Sequence, residues 1–208
     1  MSRIIIIPGW RDSGPGHWQS LWADQLPNAV RVVQDDWFNP RRLAWVDKIT
    51  ETILAQDAPV VLVAHSLGCI AVTHLPPEVA QRITAALLVA PADPERRGVL
   101  ADFAPVPYQK LPYPSVVVAS NDDPYCPVRT AGAYARAWGS EFVRLQKGGH
   151  INVEAGFGPW PLGLALLKSL LPEQGELDRT TDLRAPHRPS RAAQCQAVVG
   201  ASLNQFSY

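Results

Sequence analysis

Short apolar segments of strand length alternate with helical segments over most of the chain, and this alternation constrains the fold more than any other feature. The clearest segment is Pro59–Ala64, a continuous apolar run, which is typical of a strand covered on both faces. Strands are predicted at residues 3–7, 29–33, 59–64, 83–90, 115–119 and 141–145. Because strands separated by helices pair in parallel through right-handed crossovers, the sequence predicts a three-layer α/β/α sandwich with a mostly parallel sheet.

The segments between these strands carry helical patterns. The first helix is predicted at His17–Leu26, where apolar side chains recur at three- and four-residue spacing. The second is predicted to begin at Asn39–Pro40, because Asn is a favourable N-cap and Pro suits the first helical position. Further helices are predicted at residues 67–74, 76–81, 128–138 and 160–171. The segment Ala92–Leu111 is rich in Pro and irregular, and it is long enough to form a short cap.

The charge balance of the chain argues against several classes of function. The 208 residues include 19 Lys and Arg against 19 Asp and Glu, so the formal net charge is zero. A chain with this balance is not expected to bind nucleic acid or an anionic membrane surface. The apolar run Ile4–Ile7 ends at Pro8 and is too short for a membrane helix or a signal peptide, so a cytoplasmic location is expected.

The predicted organisation is one domain followed by a tail. Hydrophobic residues make up 47 % of the chain, enough for one large core, which we assign to residues 1–172. Residues 173–208 show no sustained periodicity and are predicted to form a tail that is flexible or docked peripherally. The three cysteines have no disulfide spacing, and the sequence contains no CxxC, no HExxH and no acidic calcium loop, so no metal site is expected. No cofactor is expected either, because the serine chemistry described below needs none.

The sharpest motif is A-H-S-L-G at residues 64–68, between a predicted strand and a predicted helix. It is a variant of G-x-S-x-G, the motif that presents a nucleophilic serine on a tight turn. The residues two before and two after the serine approach each other in such a turn, which explains why Ala64 and Gly68 are small. The motif predicts that Ser66 is a nucleophile.

A serine nucleophile needs a base and an orienting acid, which follow it along the chain in the order acid, then His. His150 follows the last predicted strand in a Gly-rich loop, and Asp123 follows the strand at 115–119, where Pro124 restrains the loop. Both lie at carboxyl ends of parallel strands, where α/β active sites form. Asp122 is the direct alternative to Asp123, and Asp93 is a weaker one.

Backbone amides that could bind an oxyanion are also predicted. One is the N–H of Leu67, the residue after the nucleophile, and the second is the N–H of Trp10 in the turn after the first strand. Gly9 and Arg11 are alternatives for the second donor, and Gly9 would let the backbone approach the substrate carbonyl. Trp160 follows the His150 loop and is expected to form a wall of the substrate pocket.

Two further histidines lie near these motifs. His65 is inside the turn motif and is expected to be structural, pointing away from the nucleophile. His17 precedes the serine, which is the wrong chain order for the base, but it could lie near the mouth of the site.

Taken together, the motifs resemble the small serine hydrolases of the YdeN and retinoblastoma-binding protein 9 group, within the α/β-hydrolase superfamily. The matching stretches are P-G-W at 8–10, H-W-Q-S-L-W at 17–22, A-H-S-L-G at 64–68, N-D-D-P-Y-C-P at 121–127, G-H-I-N at 149–152 and G-F-G-P-W-P at 156–161. The resemblance covers about residues 3–171 and implies a minimal α/β-hydrolase fold with a short cap and a triad of Ser66, Asp123 and His150. Ala64 stands where the group usually has Gly. The chain lacks an L-x-C-x-E segment, so retinoblastoma binding is not implied.

The favoured hypothesis is a serine hydrolase that cleaves a small ester, thioester or activated amide through an acyl-enzyme on Ser66. Its partner would be a small acyl substrate, bound in a shallow and fairly open site. Two alternatives stay open at this point: a protein-binding member of the fold without catalysis, and a perhydrolase that needs no cofactor and uses the same triad.

Overall fold

Six parallel strands form the central sheet of the computed structural model, which describes residues 2–171. They are β1 Arg3–Ile7, β2 Ala29–Arg31, β3 Val60–His65, β4 Ile83–Val89, β5 Ser115–Ser120 and β6 Glu141–Leu145. The spatial order is β2-β1-β3-β4-β5-β6, and every neighbouring pair is parallel. The predicted α/β sandwich is therefore confirmed, and all carboxyl ends of the strands share one edge of the sheet.

Six α-helices connect and cover these strands within the described residues. They are α1 Trp18–Gln25, α2 Arg42–Leu54, α3 Leu67–Val72, α4 Pro77–Ala80, α5 Val128–Trp138 and α6 Pro161–Leu170. Helices α1 and α6 pack on one face of the sheet, and α2 to α5 pack on the other. The segment predicted to be irregular contains two short 3-10 turns, Pro94–Arg96 and Gly98–Phe103.

The β1 strand shows why the sequence needs continuous apolar runs. Ile5 and Ile7 pack with the layer of α2 and α3, whereas Ile4 and Ile6 pack with the layer of α1 and α6. All four side chains are buried, because successive residues of a strand point to opposite faces and both faces are covered. Each such side chain contributes about 1.5–3 kcal/mol on burial.

The start of α2 differs from the prediction. The helix begins at Arg42 rather than at Asn39–Pro40, because Asn39 is part of a turn around Asp36. The backbone N–H of Asn39 donates to the Asp36 carboxylate at 2.9 Å, and its side-chain amide donates at 3.1 Å. The free N–H of Arg42 donates instead to Asp102 Oδ2 at 2.8 Å, so the helix is capped by a residue distant in sequence.

The predicted tail at 173–208 lies outside the described residues, so its boundary and its behaviour stay predictions. None of the helices within residues 2–171 combines the length and the apolar character needed to cross a membrane.

Gly68 determines how closely α3 can approach the end of β1. A Cβ atom at this position would lie 2.6 Å from the carbonyl oxygen of Ile7 and 2.7 Å from that of Pro8. Both distances are far below van der Waals contact, and backbone oxygens cannot move aside as a flexible side chain can. Only glycine therefore fits at this contact.

We predict that Gly68→Ala lowers the free energy of unfolding by about 1–3 kcal/mol, the usual cost of forcing extra atoms into a packed contact. Urea denaturation measures this change. Gly98→Ala is the matched control, because a Cβ at Gly98 meets nothing within 4 Å. Equal stability of the two variants would contradict the prediction.

Candidate active site

Ser66 occupies a strained turn between β3 and α3. Its φ of 54° and ψ of −120° lie outside the usual regions for a residue with a side chain, at a cost of about 1–3 kcal/mol. The turn is held by backbone bonds: the Ser66 N–H donates to Val89 at 3.0 Å, and its carbonyl accepts from Cys69 and Ala92. The hydroxyl does not cap α3, so it is free for other contacts.

The structure brings the side chains of Ser66, His150 and Asp123 into one hydrogen-bonded chain. His150 Nε2 lies 2.9 Å from Ser66 Oγ, and His150 Nδ1 lies 2.9 Å and 3.1 Å from the two carboxylate oxygens of Asp123. A carboxylate can only accept, so Nδ1 carries the proton and Nε2 is left to accept from the serine hydroxyl. Both His150 and Asp123 are buried, with side chains 9 % and 2 % exposed.

Asp122 and Asp123 are adjacent but have different contacts. Asp122 accepts from the Ser120 hydroxyl at 2.5 Å and from the N–H groups of Gly148 and Gly149 at 3.1 Å and 2.9 Å. These bonds, that of the Ser120 hydroxyl above all, hold the pKa of Asp122 below its ordinary value. Asp122 thus supports the loop that carries His150, while Asp123 contacts the imidazole ring.

The remaining carboxylate alternative lies at the cleft but away from the imidazole. Asp93 accepts the N–H of Glu95 at 3.2 Å and caps the first 3-10 turn. Within residues 2–171 it forms no hydrogen bond with His150, whose Nδ1 is taken by Asp123.

His65 holds the backbone of the His150 loop. Its Nε2 lies 2.9 Å from the carbonyl oxygen of His150, so Nε2–H donates there, and the two rings are 4.8 Å apart. This hydrogen bond fits the structural role expected from the sequence, but His65 also lines the cleft that contains Ser66, where it was expected to point away from the nucleophile. Burial, followed by the proximity of the other histidines, lowers the pKa of His65 well below its ordinary value, so the ring is neutral at neutral pH.

His17 lies beside His65 and lines the cleft. The two ring centres are 4.8 Å apart, and His17 Nδ1 accepts the N–H of Gln19 at 3.2 Å, which caps α1. Burial lowers the pKa of His17 to about 4, so this ring is also neutral at neutral pH.

The turn after β1 lies directly against Ser66. A Cβ on Gly9 would lie 2.7 Å from Ser66 Cβ and 3.2 Å from Ser66 Oγ, so glycine is required for this approach. Among the hydrogen bonds of residues 2–171, the backbone N–H groups of Trp10 and Leu67 have no acceptor, and neither has that of Gly9, the other alternative for the second donor. The N–H of Arg11, one of the alternatives, donates to the carbonyl of Trp37 at 3.0 Å and is not available.

A cleft of about 230 Å³ opens above Ser66. Leu100, from the segment expected to act as a short cap, forms part of its wall. Tyr125 and Arg97 also line it, and the Tyr125 ring lies 4.4 Å from the His150 ring. Neither side chain was predicted from the sequence; for Tyr125, its place next to Asp123-Pro124 was the available signal, and for Arg97 there was none.

Trp160 does not line the cleft, which corrects its expected role in the pocket wall. The ring is buried in the layer of α1 and α6, 5.2 Å from the Trp18 ring and 5.8 Å from that of Phe157. The backbone of Gly163 contacts this ring so closely that a Cβ at Gly163 would overlap an atom of the ring. Trp160 instead packs against Trp18, which holds the loop of His150: Trp18 Nε1 donates to the carbonyl of Ile151, the next residue, at 2.9 Å.

Comparison with known proteins identifies the family. The sequence profile of the serine hydrolases matches residues 4–169. The chain belongs to the serine hydrolase family. This serine hydrolase is similar to a protein described as a YdeN-like hydrolase from Pectobacterium atrosepticum, with 35 % identity, a TM-score of 0.75, and coverage of 83 % of this chain and 94 % of the other. The resemblance to the YdeN group is thereby confirmed.

Two more distant structures share the fold of this serine hydrolase. The ydeN gene product of B. subtilis is 24 % identical with a TM-score of 0.71, covering 82 % of this chain and 98 % of the other. An esterase from Thermogutta terrifontis is 16 % identical with a TM-score of 0.59, covering 84 % of each chain. No curated protein matches the chain.

The two buried histidines predict a pH dependence of stability. Below the ordinary histidine pKa of 6.5 the unfolded chain binds protons at His17 and His65 that the folded chain excludes. The free energy of unfolding therefore falls as the pH drops from about 6.5 toward 4, by about 1.4 kcal/mol per pH unit for His17. Urea denaturation at pH 7 and pH 5 measures the loss.

The control is His17→Asn, which keeps a side-chain acceptor to cap α1 but cannot titrate. This variant should lose less stability than the wild type between pH 7 and pH 5. An identical loss in both proteins would show that His17 does not contribute to the pH dependence.

Proposed function

We propose that this serine hydrolase cleaves a small ester, thioester or activated amide through an acyl-enzyme on Ser66. The observation that carries the proposal is the unbroken hydrogen-bonded chain from Ser66 Oγ through His150 to Asp123. This arrangement supplies a nucleophile, a base in contact with it and an acid that orients the base.

In the first half of the reaction, Ser66 Oγ bonds to the acyl carbon while its proton moves to His150 Nε2. His150 then donates that proton to the leaving oxygen, sulfur or nitrogen as the bond to the acyl carbon breaks. Asp123 keeps the ring in the tautomer that can accept at Nε2, and its charge stabilises the imidazolium formed in between.

The oxygen of the acyl carbonyl becomes negative during this attack. The N–H groups of Leu67 and Trp10 have no acceptor within the described chain, and both residues adjoin the Ser66 turn, which supports them as the oxyanion donors. A donor of this type typically contributes about 3–4 kcal/mol to stabilising the transition state.

In the second half, water replaces the leaving group above Ser66. His150 takes a proton from this water, the oxygen bonds to the acyl carbon, and the proton returns to Ser66 Oγ as the acid product leaves. His150 gives up each proton that it accepts and Ser66 regains its own, so the enzyme returns to its starting state.

The size of the cleft supports a short acyl group. Its volume of about 230 Å³ is below the range of about 300–1,000 Å³ that is usual for pockets holding drug-sized ligands. The cap segment reaches the cleft through Leu100 but is too short to build a long tunnel.

The nucleophile is tested by labelling with a fluorophosphonate probe. Wild-type protein should be labelled, and Ser66→Ala should lose the label and all ester hydrolysis, since the Oγ that bonds to the probe is gone. Ser169→Ala, at an exposed position of α6, is the control and should be labelled as fully as the wild type. Equal labelling of Ser66→Ala would overturn the assignment.

The acyl size is tested with p-nitrophenyl esters of increasing chain length. We expect kcat/KM to be highest for acetate and butyrate and to fall by about tenfold or more for octanoate and longer acids, because these cannot fit the cleft. A kcat/KM that rises steadily with chain length would contradict a small acyl site.

A further inference from the structure

We propose that Arg97 is a specificity residue that selects acyl substrates bearing a negative group, a carboxylate or a phosphate, near the reacting ester. The proposal rests on the proposed function, since it names the substrate class of the same site. It is carried by the position of Arg97 at the cleft, by its contacts with two aromatic rings and by its lack of a partner in the described chain.

The guanidinium of Arg97 contacts two aromatic rings, one in the turn that lies against Ser66 and one next to His150. Its Cζ atom lies 5.6 Å from the centre of the Trp10 ring and 4.5 Å from that of the Tyr125 ring. Trp10 follows Gly9, which lies against Ser66, and Tyr125 contacts His150. Arg97 and Ser66 line the same cleft, so a substrate bound at Ser66 lies close to this guanidinium.

The backbone of Arg97 is held while its side chain stays exposed. Its N–H donates to Pro94, and its carbonyl accepts from Leu100 at 2.9 Å, between the two 3-10 turns. The aromatic contacts restrict the guanidinium as well, because a cation within about 6 Å of a ring centre is attracted to the ring. These contacts favour a position of the positive charge beside both rings before a substrate binds.

Arg97 has no ion pair or side-chain hydrogen bond within residues 2–171. By contrast, Arg31 pairs with Asp12 at 2.5 Å. The five N–H donors of the Arg97 guanidinium are consequently open to a ligand, and their planar arrangement suits a carboxylate or phosphate. A second arginine at the cleft, Arg11, stacks on Trp10 at 4.3 Å and is unpaired as well.

Three carboxylates line the cleft with these arginines, those of Asp12, Asp93 and Glu154, and among the described residues none lies within ion-pair distance of Arg97. Asp12 pairs with Arg31, and Asp93 accepts the N–H of Glu95. The selection we propose is therefore a direct contact from Arg97 to the substrate and does not depend on a net positive cleft.

The test compares two esters that differ only in charge: mono-p-nitrophenyl glutarate, which ends in a carboxylate, and its carboxamide isostere. Hydrolysis measured with Ser66→Ala is subtracted, because the free carboxylate can itself cleave the ester. Wild-type protein should have a kcat/KM roughly tenfold higher for the carboxylate, the effect expected of one charge-assisted hydrogen bond.

Arg97→Gln should reduce this preference to near unity, because the guanidinium distinguishes the two esters by their charge. The readout is the ratio of the two kcat/KM values within one protein, so a general change of activity does not alter it. Arg96→Gln is the matched control: it removes the same charge from the adjacent exposed residue, which does not line the cleft, and should keep the preference.

Equal hydrolysis of both esters by the wild type, or an unchanged preference in Arg97→Gln, would overturn the role of Arg97 while leaving the hydrolase itself intact. Failure of the proposed function gives a different result, because then neither ester is cleaved and the fluorophosphonate probe does not react.

Discussion

The contact between two turns at the carboxyl edge of the sheet is the constraint on which the site depends. The turn after β1 and the turn after β3 approach so closely that neither Gly9 nor Gly68 has room for a Cβ atom. This approach brings Gly9 against Ser66 and allows α3 to begin immediately after the serine. The strained backbone of Ser66 persists because it is hydrogen-bonded to Cys69 in α3, to Val89 at the end of β4 and to Ala92 just after β4.

The side chains that could react are few, and a larger set of residues determines where they lie. Asp122 and Ser120 bind the Gly148–Gly149 backbone, and His65 binds the carbonyl of His150 itself. Trp18 of α1 donates to the carbonyl of Ile151 in the same loop. These bonds hold the backbone of the loop, which keeps the imidazole within hydrogen-bond distance of both Ser66 and Asp123.

The cleft has buried histidines at its base and exposed arginines at its rim. His17 and His65 are buried and neutral, whereas Arg11 and Arg97 at the rim are exposed and charged. Buried imidazoles avoid the cost of a second charge beside the Asp123–His150 pair. Exposed guanidinium groups stay solvated until a substrate replaces the water, so they can recognise a charge without weakening the fold.

Local patterns in the chain were sufficient to predict the six strands, the turn at Ser66 and the strand ends that carry Asp123 and His150. These features depend on side-chain period and turn chemistry, which act over a few neighbouring residues. Contacts between distant segments decided the rest: Asp102 caps α2 at Arg42, Trp160 packs against Trp18 instead of lining the cleft, and Arg97 reaches Trp10 and Tyr125. Packing energy depends on which surfaces meet in three dimensions, and residues far apart in the chain carry no local signal of that meeting.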